Sequence, residues 1–74
     1  MHIGQKIEEE LRSQERTAVW LAQQLHCNRT NVYNIFKRAT IDTEQLKHIS
    51  SVLHKDFFAM LSEELKENKK ERRE

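Results

Sequence analysis

The sequence predicts an all-α fold of five helices, with a helix-turn-helix formed by helices 2 and 3. Proline is absent, glycine occurs once, at Gly4, and Glu, Lys, Gln, Arg and Leu dominate, so little in the chain breaks a helix. β-Branched residues are scattered and never alternate over the length of a strand, which argues against a sheet.

Each helix carries its own signal. Ile3, Ile7 and Leu11 recur at i, i+4 and i+8 and predict helix 1 over about residues 3–14. Thr17 is a good N-cap for helix 2, whose inner face is Ala18, Leu21, Ala22 and Leu25. His26 and Cys27 interrupt the period. Asn28 caps helix 3, over residues 28–38, with Cys27 and Val32 placed as a hydrophobic staple and Val32, Ile35 and Phe36 on the inner face. Asp42 starts helix 4; "DTEQ" is close to a capping box with Gln45 at N3, and Ile41 and Leu46 make a second staple. Leu46, Ile49 and Leu53 are its core stripe. Asp56 caps helix 5, where Phe57, Leu61 and Leu65 recur at i+4 and are expected in the core. After Leu65, "KENKKERRE" contains no apolar residue. The chain therefore reads as one domain over residues 1–65 and a charged helix end or tail over residues 66–74.

Seventy-four residues allow one domain with a small, regular core. The single cysteine, Cys27, permits no internal disulfide and suits a reducing cytoplasm, so a cytoplasmic location is expected. Cys27 itself reads as a small buried apolar residue rather than a redox sensor. No apolar run approaches the roughly 20 residues of a membrane span. "MHIGQKIEEE" lacks the basic-then-apolar order of a signal peptide. His2, His26, His48 and His54 share no HxxxH spacing, so no metal is expected. No nucleophile has a credible base, no Gly-rich phosphate loop is present, and a chain of this length has no room for a pocket of usual size, so neither an enzyme, a cofactor nor a small-molecule ligand is expected.

The net charge of +1 hides an uneven distribution. Residues 1–15 carry a net of −2 and residues 42–74 a net of −1. Residues 16–41 carry Arg16, Arg29, Lys37 and Arg38 with no Asp or Glu, a net of +4. A local basic surface matters more to a polyanion than the total charge does.

Helices 2 and 3 are separated by a three-residue break, and both have apolar inner faces, so they must cross on a shared core. That is the helix-turn-helix arrangement, whose second helix enters the major groove of DNA. A groove-facing surface needs short or forked side chains that donate and accept and are not negative. Asn28, Arg29, Thr30, Asn31, Tyr33 and Asn34 supply them.

From Ile3 to Leu61 the chain resembles the five-helix DNA-binding domain of the phage-repressor and Cro-like helix-turn-helix family (the lambda-repressor-like fold). The residues that carry the resemblance are Ile3-Gly4-Ile7, Leu21-Ala22-Leu25, Arg29-Val32-Ile35 and Leu46-Ile49-Leu53, in family order and spacing. The resemblance implies base reading by Arg29, Thr30 and Asn34 with Tyr33 beside them. It implies phosphate or base-edge contacts from Asn28 and Asn31, and backbone contacts from Lys37 and Arg38. Tyr33 has three open roles: packing on a thymine methyl, bonding a phosphate, or lying on its own helix.

Four positions depart from the family. Ala18 stands where a phosphate-holding Gln is common, leaving Thr17, Gln23 or Arg16 to replace that contact. His26 and His54 stand where glycine is preferred, and histidine tolerates positive φ better than most residues. Trp20 occupies a usually polar position, either covering the end of helix 1 or marking a contact surface.

The expected function is sequence-specific binding of double-stranded DNA by a small bacterial or phage-type transcriptional regulator. One such domain reads few base pairs, so a homodimer on an inverted repeat is expected. Phe58 and Met60 lie off that core stripe and, with Leu65, are the expected dimer surface. The alternative is a protein-interaction module, an antitoxin or accessory subunit, that keeps the fold without specific DNA binding.

Overall fold

Local capping chemistry sets where the helices begin. In the computed structural model, which describes residues 1–72 and side chains as far as residue 67, five α-helices follow in order: α1 (Ile3–Ser13), α2 (Ala18–Gln24), α3 (Arg29–Lys37), α4 (Thr43–Leu53) and α5 (Phe57–Arg72). There is no strand among the described residues. Thr17 Oγ1 accepts the Trp20 N–H at 3.0 Å, Asn28 Oδ1 the Asn31 N–H at 3.0 Å, Asp42 Oδ1 the Gln45 N–H at 2.7 Å and Asp56 Oδ1 the Ala59 N–H at 3.0 Å. Each such cap stabilises its helix by about 1 kcal/mol. α1 is capped by His2, whose Nδ1 accepts the Gln5 N–H at 3.1 Å. Histidine is an unusual cap, and the sequence reading missed it.

Three helices stop in the same way. Glu15, His26 and His54 have φ of 58°, 57° and 54°, the left-handed region. Beyond each, one N–H reaches back over the helix end: Arg16 to the Leu11 carbonyl, Cys27 to Ala22 and Lys55 to Ser50, all at 3.0 Å. These are Schellman closures, which satisfy carbonyls that have no partner within the helix. His26 and His54 take the conformation expected of them. Glu15 was not anticipated.

The core takes Ile3, Ile7 and Leu11 from α1, Leu21 and Ala22 from α2, Val32 and Ile35 from α3, and Leu46, Ile49 and Leu53 from α4. Burying each of the larger side chains contributes roughly 1.5–3 kcal/mol. Ala18, Leu25, Cys27, Phe36 and Ile41 pack against this cluster half-buried. So does Trp20, and the Arg16 guanidinium lies 4.4 Å from the centre of its ring. The capping box of α4 is only half made: the Gln45 backbone bonds to Asp42, while the Gln45 side chain lines a cleft towards α3.

α1 crosses the end of α3 at Gly4. The Gly4 N–H donates to the Arg38 carbonyl at 2.9 Å and the Ile3 N–H to the Ala39 carbonyl at 3.2 Å. The free N–H groups at the start of α1 thus satisfy carbonyls at the end of α3. A Cβ on Gly4 would meet the carbonyl oxygens of Ile35, Phe36 and Arg38. At the other end of α1, Gln14 Nε2 donates to Glu10 Oε2 and to the Leu53 carbonyl, both at 2.7 Å, tying α1 to α4.

α5 corrects two expectations. Phe57 is fully buried, but Leu61 is 37% and Leu65 62% exposed. Met60, expected at the dimer surface, instead packs half-buried on its own core. The inward face of α5 is Phe57, Met60 and Glu64, at i, i+3 and i+7, and Glu64 Oε2 accepts from the Met1 amino group at 2.8 Å. Beyond the first two turns there is no core left for Leu65 to pack on. The expected boundary at residue 65 falls inside the continuous helix α5, and the charged end is helical as far as Arg72. Its last two residues, 73 and 74, and its side chains from residue 68 onward lie outside the described residues. No helix among the described residues is long and apolar enough to cross a membrane.

Candidate nucleic-acid interface

α3 is held by one face and open on the rest. Val32 and Ile35 are buried and Phe36 is half-buried. At 3.6 residues per turn, Thr30, Asn34 and Lys37 then point away from the core. Asn31 and Arg38 turn towards α4, and Arg29 and Tyr33 towards the opposite flank. Asn28, Arg29, Thr30, Asn31, Tyr33, Asn34, Lys37 and Arg38 are all exposed. The structure thus brings eight of the sequence-assigned DNA residues onto one helix surface.

The ninth, Thr17, is also exposed, at the start of α2. Its hydroxyl oxygen is used as the α2 cap, and the hydroxyl proton remains available to donate. Asn28 is likewise half-committed: Oδ1 caps α3, and the amide N–H groups are free for an outside acceptor. Tyr33 is 47% exposed and sets its ring edge-on to Phe36, with centroids 6.2 Å apart and planes at 67°. The ring therefore lies along its own helix with an exposed edge.

Electrostatics favours an anion here. No ion pair among the described residues involves Arg16, Arg29, Lys37 or Arg38; the pairs join Met1 to Glu64, Lys6 to Glu9, Arg12 to Glu8 and Lys66 to Glu63. Arg16 stacks on Trp20, so Trp20 covers core on one side and carries a cation on the other.

Two depressions flank α3. On the α2 side, Arg29 and Asn28 border a shallow one of about 400 Å³ with Val19, Ala22, Gln23 and Cys27. On the α4 side, Asn31, Asn34 and Arg38 face Gln45 and His48 across a cleft of about 320 Å³, floored by Leu25, Cys27 and Ile35. Both depressions are open to solvent. Gln45 and His48 did not emerge from the sequence as site residues. They lie one turn apart on the flank of α4, and only the packing of α4 beside α3 brings them near Arg38.

Set beside protein-family models, curated proteins and solved structures, the chain matches none of them.

Proposed function

We propose that this chain is a small, sequence-specific binder of duplex DNA, a transcriptional regulator of the phage-repressor and Cro-like helix-turn-helix kind that reads the major groove with α3. The observation that carries the reading is the outer surface of α3: eight exposed polar side chains, three of them cations outside any described ion pair, in a segment without a carboxylate from Arg16 to Ile41. A polar surface with no call to exclude acids would be expected to contain some.

Roles follow from position. Arg29, Thr30, Tyr33 and Asn34, in the first turns of α3, face base edges, where a forked Arg suits guanine and an amide suits adenine. Thr17, Asn28, Asn31, Lys37 and Arg38, around the rim, donate to phosphates and fix the register. Two copies would pair through α5, where Phe58, Leu61 and Leu65 form an exposed stripe at i, i+3 and i+7. Leu61 replaces Met60 in that surface, because Met60 covers its own core.

Selection of bound sites from a random duplex pool tests the reading. The expected product is an inverted repeat of two short half-sites about one helical turn apart. A pool that stays unenriched through repeated rounds would sink it in favour of a protein-interaction module on the same fold.

A further inference from the structure

We propose that the cleft between α3 and α4 is a phosphate seat, in which Arg38 and His48 donate to one phosphate group and the side-chain amides of Asn31 and Gln45 complete its hydrogen bonds.

Five donor-bearing side chains from two helices converge on one space of about 320 Å³, and none of the lining residues is acidic. The carboxylates nearest in sequence, Asp42 and Glu44, do not line it, and the Asp42 oxygen is turned into the start of α4 by the Gln45 N–H at 2.7 Å. The Gln45 side chain lines the cleft rather than closing the capping box. Arg38 takes part in no described ion pair, and its backbone is fixed: its N–H donates to Ile35 at 3.1 Å and its carbonyl accepts from Gly4 at 2.9 Å. The guanidinium therefore extends from an anchored point at the helix end. Guanidinium and imidazole N–H groups are strong partners for a phosphate oxygen, and amide donors add directional bonds without adding charge. The other depressions lack this set. The one beside α2 has a single cation, and the one of about 200 Å³ near Met1 is bordered mostly by apolar side chains.

A phosphate in this seat has two sources, a phosphodiester of bound duplex or a free phosphate monoester. The first source rests on the proposed function; the chemistry of the cleft does not. As a duplex contact, the seat would clamp the strand beside α3 from α4, outside the helix-turn-helix itself.

The test uses the whole chain and two probes: inorganic phosphate, and a short duplex. Backbone amide NMR signals of Asn31, Asn34, Gln45 and His48, and the side-chain amide signals of Asn31 and Gln45, should move with both. His48→Ala and Gln45→Ala, both outside α3 and the core, should keep wild-type circular dichroism. His48→Ala should bind duplex roughly tenfold more weakly, the loss expected for one hydrogen bond to a charged group. His48→Lys, which keeps a donor, should recover most of it. Wild-type duplex affinity and wild-type phosphate shifts in both alanine variants would overturn the seat. Duplex binding that moves Asn31 and Asn34 but not Gln45 or His48, together with no shift at the cleft on adding inorganic phosphate, would also overturn it, while sparing the DNA reading. Phosphate shifts at the cleft in a chain that binds no duplex would support the seat, assign it to a small phosphate monoester, and refute the DNA reading.

Discussion

Gly4 donates its N–H to the Arg38 carbonyl at 2.9 Å, and that bond locks the first helix onto the end of the third. The proposed reading surface is thereby held by backbone rather than by side chains. It also explains the place of the chain's one glycine: a Cβ there would stand 2.6 Å from the Arg38 oxygen and 2.5 Å from the Phe36 oxygen.

Gly4→Ala should destabilise the fold by roughly 3 kcal/mol. Overpacking costs about 1–3 kcal/mol, and each of the two backbone bonds at risk adds about 1 kcal/mol. Alanine's better helix propensity returns only about 1 kcal/mol. Urea denaturation followed by circular dichroism measures it. A variant as stable as wild type would mean that α1 shifts freely over α3.

The three left-handed residues predict the opposite sign. A side chain in this region costs roughly 1–2 kcal/mol relative to glycine. Glu15→Gly and His54→Gly should each raise stability by about 0.5–1 kcal/mol once glycine's unfolded-state freedom is subtracted. Thermal melts give the answer. A lower melting temperature for Glu15→Gly would show that the Glu15 side chain contributes something the backbone closure does not.

Much of this architecture was legible in the sequence because it is local. Thr17, Asn28, Asp42 and Asp56 cap helices through bonds spanning three residues, so residue type and place suffice. His26 and His54 were legible as substitutes for glycine. Leu61 and Leu65 misled because i+4 and i+3 spacings from Phe57 are both helical. Which one faces inward depends on where the core ends, and that is a tertiary fact. The cleft was hidden for the same reason: nothing near Arg38 in sequence points to His48, ten residues on. Gly4 was visible as the only glycine, but its purpose requires the end of α3 beside it.

Arg29 and Lys37 should separate under mutation. Arg29→Ala should relax preference at one position of each half-site, by about 1–3 kcal/mol of discrimination. Lys37→Ala should weaken all sequences alike and flatten the salt dependence by about one phosphate contact. Binding competitions on single-base variants of the selected site distinguish the two. Undiminished discrimination at every base in Arg29→Ala would remove Arg29 from the readers.

Phe58→Glu should yield a folded monomer. Phe58 is 39% exposed, so a charge there costs the fold little while breaking an apolar pairing surface. Light scattering should show half the wild-type mass, circular dichroism the same helix content, and binding to a two-half-site duplex should weaken. Loss of helix would place Phe58 in the core. A wild type already monomeric at micromolar concentration would confine pairing to the DNA.

The central claim, that the acid-free surface of α3 meets a DNA backbone, is tested most directly by affinity for random duplex across a salt series. Each neutralised phosphate releases counterions, so log K against log salt should fall linearly with a slope of about −0.9 per contact. With Lys37 and Arg38 engaged, about two such contacts, the slope for one domain should be about −1.8 or steeper. A slope near zero would contradict it.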